Sequence, residues 1–294
     1  MNERAIAFDC AGSPLVGIFH PAAGTVARHG VVIVVGGGPQ YRVGGHRQLV
    51  LWARRLAAAG HPVLRFDYRG MGDSHGDFRG FEDVDDDIRM AIDRFCIEAP
   101  GVGEVVLWGE CDAAAAILFY AYRDARVKGL VLLNPWARTE AGQAKTVLRH
   151  YYLNRLMQPS FWRKLLSLRF NPLASLRSAM ALVSKTRSAA GGAGKGAGAA
   201  ATDALPRDMS LPDKLFAGYS RFRGPVMLVI SGRDIIAREF DDLAAGSQDW
   251  QRVMAEKPTT RHDVKEADHT FSSAVQRDQV ISCGLAWLGG LKRD

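Results

Sequence analysis

Cysteine is scarce in this sequence: Cys10, Cys96, Cys111 and Cys283 are the four in 294 residues, scattered and with no CxxC pair. That pattern excludes a disulfide-stapled scaffold and a cysteine-built zinc site, and it fits reduced thiols in a cytoplasm. Long apolar runs are missing too. Nothing approaches the roughly 18 apolar residues that span a bilayer, so no membrane-crossing helix is expected. The opening MNERAIAFDC has Glu3 and Asp9 but no apolar h-region, so a cytoplasmic location without a secretory signal is expected. No GxGxxG or GxxxxGK(S/T) loop is present, which sets the usual nucleotide-phosphate cradles aside. No internal repeat is apparent, and neither a metal nor a cofactor is expected.

What is present is ordinary for a soluble globular chain: 47% hydrophobic and 23% charged residues. The formal charge of +7 raises nucleic acid as a partner, but no recognised nucleic-acid-binding motif accompanies it and none is expected. Short runs rich in Val, Ile and Leu alternate with helical patterns. Strands are expected at 5–9, 15–20, 30–35, 62–67, 104–108, 129–133, 225–231 and 261–266. Helices are expected at 47–59, 81–98, 112–123, 237–254 and 272–291. The runs VVIVV and LVLLN are apolar at nearly every position, as strands covered on both faces are. An α/β class follows: a mostly parallel eight-stranded sheet with helices on both faces, opened by one antiparallel hairpin.

The alternation stops at Trp136 and resumes at Pro225. Residues 1–135 and 216–294 therefore read as two parts of one core, and 136–215 as an inserted helical cap. Within the cap, 188–204 is a Gly/Ala-rich tract that cannot build a core. Between Pro135 and Asp203 the single acidic residue is Glu140, against Arg138, Lys145, Arg149, Arg155, Arg163, Lys164, Arg169 and Arg177 among the cations. Such a cap would attract an anionic or amphiphilic ligand, or make peripheral contact with an anionic membrane. A solvated basic face over an ordinary hydrophobic stripe explains the same pattern.

Four stretches fall at strand ends, where open parallel sheets place their sites. In VVLWGECDAAAA, Cys111 stands at a strand-to-helix turn between Gly109 and Ala113, small neighbours that a strained nucleophile elbow requires. A buried structural thiol is the plain alternative. In ADHTF, His269 follows the last expected strand and is a candidate base for that thiol, or a surface-loop histidine. In VISGRDIIAREF, Asp234 is placed to orient the imidazole, or to cap the next helix; Glu239 and Asp241 are fallback acids. In VVGGGPQYRVGG, the N–H of Gly38, supported by Gly37, would face an oxyanion together with the N–H of Asp112. Glu110 and Asp112 flank the cysteine and would oppose thiolate formation, so both need to point away from the sulfur.

Nucleophile, acid and base in the order Cys111, Asp234, His269 resemble the α/β-hydrolase superfamily, over roughly 5–134 and 224–291. FDYRGMGDS is similar to that superfamily's D-x-R-G-x-G-x-S turn. GGGPQYRVGGHRQ, GECDAA and SGRDIIAREF together resemble the hydrolase 1 family associated with exosortase A systems, whose members use Cys at the elbow and occur with exopolysaccharide production. The resemblance implies an α/β-hydrolase fold and an exopolysaccharide setting but not a particular reaction; a Cys-His-Asp triad acting on a small-molecule, lipid-linked or glycan-linked acyl substrate is the expectation. A thioester intermediate can be hydrolysed or passed to an alcohol, amine or thiol. Three functions stay open: ester or thioester hydrolase, acyltransferase on the same site, and a catalytically silent scaffold.

Overall fold

A computed structural model describes residues 3–38, 40–137 and 204–291. Most of the expected cap, its basic residues and most of the Gly/Ala tract lie outside the described residues. The eight strands among the described residues are β1 (Arg4–Cys10), β2 (Ser13–His20), β3 (His29–Val34), β4 (Val63–Asp67), β5 (Glu104–Glu110), β6 (Val127–Leu133), β7 (Val226–Ser231) and β8 (Thr259–Val264). They form one sheet in the order β1-β2-β4-β3-β5-β6-β7-β8. β1 pairs antiparallel with β2, and β2 with β4; every other pairing is parallel. The apolar runs VVIVV and LVLLN fall on β3 and β6, and β3, β4 and β7 are buried at every residue, because helices cover both faces of the inner strands.

The described helices are α1 (Gln48–Ala58), α2 (Asp85–Glu98), α3 (Asp112–Ala121), α4 (Leu211–Arg221), α5 (Ile235–Ala245), α6 (Gln248–Glu256) and α7 (Ala274–Gly289). Neighbouring side chains of a strand point to opposite faces, and β5 shows which helices go where. Trp108 faces α1, its ring centroid 5.7 Å from that of Trp52, and also meets α7 at Gly284. Gly109, the next residue, faces α3: a Cβ there would lie 2.7 Å from the Ala113 carbonyl. The α3 helix is buried along nearly its whole length, between the sheet and α4.

One expected helix differs. The pattern at 237–254 predicts a single helix, yet the chain stops α5 at Gly246 and starts α6 with Ser247, whose hydroxyl accepts from the Trp250 N–H. A serine N-cap immediately after a glycine favours a break over continuation. Trp250 then packs against Phe216, Tyr219 and Phe240, joining α4, α5 and α6. Among the described residues no helix is long and apolar enough to cross a membrane.

The strand order reverses around β3, with β4 on one side and β5 on the other. Open α/β sheets have their ligand crevice at such a switch point, beyond the C-terminal strand ends. The loop after β3 and the turn after β5 meet there.

Candidate active site

Cys111 follows β5 directly and is the N-cap of α3, with φ 59° and ψ −126°. A positive φ is costly for a residue with a Cβ, so the surroundings have to hold it. They do so through the backbone: the Cys111 N–H donates to the Leu133 carbonyl at 2.9 Å, and the Trp136 N–H donates to the Cys111 carbonyl at 3.1 Å. Small neighbours are also required. A Cβ on Gly36 would lie 2.4 Å from Asp112 Oδ1 and 2.5 Å from the Glu110 carbonyl. Gly36 and Gly109 thus let the β3 loop and α3 close around the turn.

The loop after β8 brings His269 to the sulfur. Its Nδ1 lies 2.6 Å from Asp234 Oδ2. A carboxylate has no proton to give, so Nδ1 carries the hydrogen and Nε2 is left for Cys111, to which His269 is hydrogen-bonded. The two readings of Asp234 both hold. Its carboxylate also accepts from the Ile236 and Ala237 N–H groups, at 2.9 and 3.1 Å, as the N-cap of α5. Asp241, a fallback acid, is instead bound by Arg261.

Burial works against the imidazolium, but the hydrogen bonds to Asp234 and Cys111 outweigh it and raise the His269 pKa to about 10. Burial likewise pushes the Cys111 thiol up; His269 and the Asp112 N–H pull the other way without overcoming it. The sulfur, on a residue 7% exposed, therefore depends on His269 for its ionisation.

The two flanking carboxyls separate. Asp112 turns away from the sulfur onto the glycine loop, where the Gly37 N–H donates to its Oδ1 at 2.7 Å and the Gly38 amide also favours its charge. That charge still raises the thiol pKa. Glu110 departs from the expectation. The residue lines the same 60 Å³ cavity as Cys111 and His269, and its carboxyl accepts a hydrogen bond from Gln48 Nε2. Burial raises the Glu110 pKa to about 8.

Three supporting residues escaped the sequence reading. Asn134, with φ 45° at the end of β6, donates to Ser231 Oγ and to the His269 carbonyl, and accepts from the Ser231 N–H, each at 2.8 Å. A polar residue closing the apolar run LVLLN was the available signal. Phe271, buried and with φ 47°, holds the histidine loop against Trp52. Gln48 carried no signal, because an amide at a helix start is common. The DYRGMGDS turn is structural: buried Asp67 accepts from the backbone and guanidinium of Arg42 and so ties down the loop carrying the three glycines.

A larger cavity of about 1060 Å³ opens at the N-terminal strand ends, lined by Glu104, Val127, Lys128 and Trp287 among others. It touches none of Cys111, Asp234 and His269, so size does not mark the site. Among the described residues no group of His, Cys, Asp or Glu is placed to hold a metal ion.

Residues 27–271 match the family described as "Serine aminopeptidase, S33". No curated protein matches the sequence. The fold is similar to the Pyrococcus furiosus esterase Pf2001, with a TM-score of 0.61 and 15% identity over 99% of this chain and 93% of that one. It is similar to the esterase domain of a Rhodothermus marinus protein, with a TM-score of 0.56 and 16% identity over 98% of each chain. It is also similar to a Mycobacterium tuberculosis puromycin-hydrolyzing peptidase, with a TM-score of 0.60 and 14% identity over 98% of this chain and 40% of that one. At such identities these likenesses carry the α/β-hydrolase fold alone.

Proposed function

The chain belongs to the serine aminopeptidase family of hydrolases, and we propose that it is an acyl hydrolase in which Cys111 takes the place of the serine. The observation that carries this is the chain of contacts Asp234–His269–Cys111. The Cys111 proton is passed to His269 Nε2, the sulfur attacks an ester or thioester carbonyl as the thiolate, and Asp234 steadies the imidazolium. The proton then passes to the leaving alkoxide or thiolate. A water molecule resolves the acyl thioester by the same route in reverse. The Asp112 N–H supports the oxyanion, and the Gly38 N–H joins it once the Asp112 carboxylate moves off the loop.

The substrate class to test first comes from sequence resemblance alone. GGGPQYRVGGHRQ, GECDAA and SGRDIIAREF are similar to exosortase-associated hydrolases, which makes an acylated glycan or glycolipid the first choice. The test is a panel of p-nitrophenyl esters, acyl thioesters and aminoacyl amides, with intact mass spectrometry of wild type and Cys111→Ala. An acyl adduct on wild type with ester or thioester turnover is expected, and none with Cys111→Ala. Turnover retained by Cys111→Ala removes the thiol from the mechanism, and preferred amide cleavage makes the enzyme a peptidase.

A further inference from the structure

Beside the sulfur, the 60 Å³ cavity is lined by Cys111, His269, Glu110, Gln48 and the glycine loop, among others. Two of the oxygens at this site, Glu110 Oε1 and Gln48 Oε1, are buried without a hydrogen-bond partner among the described residues. Buried acceptors are nearly always satisfied, and each one left bare costs on the order of 1–3 kcal/mol. With Glu110 neutral and its Oε2 accepting from Gln48, Oε1 carries the proton, so a donor and an acceptor are left without partners beside a nucleophile and its base, a pair that one water molecule can bridge. By volume the cavity holds water, for which about 10–15 Å³ of such space is needed, and has no room for a large acyl chain. Gln48 Nε2 donates to the other oxygen of the same carboxyl, so Glu110 is held in place from α1.

We propose that Glu110 and Gln48 form the pocket for the water that resolves the acyl-enzyme, making Glu110 a further catalytic residue. This rests on the acyl-thioester reading above. The water gives one O–H to His269 Nε2 and the other to Gln48 Oε1 and accepts from the neutral Glu110 carboxyl, which aims its remaining lone pair at the thioester carbonyl. The new O–C bond forms as the proton facing His269 passes to Nε2. The C–S bond then breaks, the acid leaves, and sulfur recovers a proton from the imidazolium. The neutral form of Glu110 favoured by burial also spares Cys111 a second adjacent charge.

The experiment is stopped-flow hydrolysis of p-nitrophenyl acetate by wild type, Glu110→Met and Gln48→Met, with the acetyl adduct followed by intact mass. First-turnover p-nitrophenol release should fall far less than deacylation. Deacylation should slow by about tenfold or more, so that acetyl-Cys111 accumulates. Both phases falling together, or neither changing, overturns the proposal. In the wild type, methanol should divert acetyl groups to methyl acetate while tert-butanol, too bulky for the cavity, should not. Equal diversion by both alcohols overturns it even where a variant does not fold. No adduct on wild type, or turnover by Cys111→Ala, would instead strike at the acyl-enzyme reading itself.

Discussion

At Cys111 several opposing influences meet on one atom, and their signs can be read separately. Burial and the Asp112 charge hold the thiol pKa up, while His269 and the Asp112 N–H pull it down. Removing the imidazole with His269→Ala should therefore move the alkylation of Cys111 by iodoacetamide to higher pH. Asp112→Asn, which keeps an acceptor for the Gly37 N–H, should move it lower. Opposite shifts in rate–pH profiles, with the adduct located by mass, are the expected result; shifts of one sign would contradict the assigned causes. Asp234 invites a similar separation of roles. Asparagine caps helices about as well as aspartate, so Asp234→Asn should unfold near the wild-type temperature while losing about 10³–10⁴-fold in kcat. Asp234→Ala should also lose the cap, at about 1 kcal/mol in thermal or urea denaturation. Both readings of Asp234 were visible in VISGRDIIAREF, but a sequence has no means of showing that one carboxylate does both jobs.

At the level of elements, the site is a meeting of four strand ends, each pinned by a side chain remote in sequence. Asn134 is the clearest pin, since it joins the ends of β6 and β7 to the His269 loop through three hydrogen bonds. Asn134→Ala leaves the Ser231 N–H and the His269 carbonyl without this partner. A loss of about 2–3 kcal/mol in urea denaturation is expected, together with a lower kcat from a less constrained histidine. Stability near that of wild type would show that water replaces the amide. Inner strands such as β3 and β6 were legible because burial on both faces writes itself as apolar runs. The break between α5 and α6 was less so: the apolar spacing carries on through Gly246 and Ser247, and only the cap bond to Trp250 interrupts it.

For the whole molecule, the pH dependence of folding carries the mark of the buried site. The Glu110 pKa is raised from 4.5 to about 8 in the folded chain. The folded state then holds a proton that the unfolded chain releases. The associated stability is complete below about pH 4.5 and is lost as the pH rises through about 8. Glu110→Gln does not titrate, so its melting temperature relative to wild type should rise steadily between about pH 5 and 8. His269 contributes in the same direction over a higher range, but it is common to both proteins and cancels in the difference. A flat difference would mean that Glu110 keeps an ordinary acidity. The sequence by itself determined the sheet, the helices that cover it, and the three residue types in hydrolase order. These follow from periodicity, turn chemistry and chain order, which are local or linear properties. Only the tertiary structure decided that Asp234 caps and orients at once, that Asp112 occupies the glycine loop, and that Glu110 and Gln48 share a cavity with the sulfur. Those facts depend on where burial removes water and which donors remain within reach, and residues separated by 62 positions, as Gln48 and Glu110 are, meet only when the chain is folded.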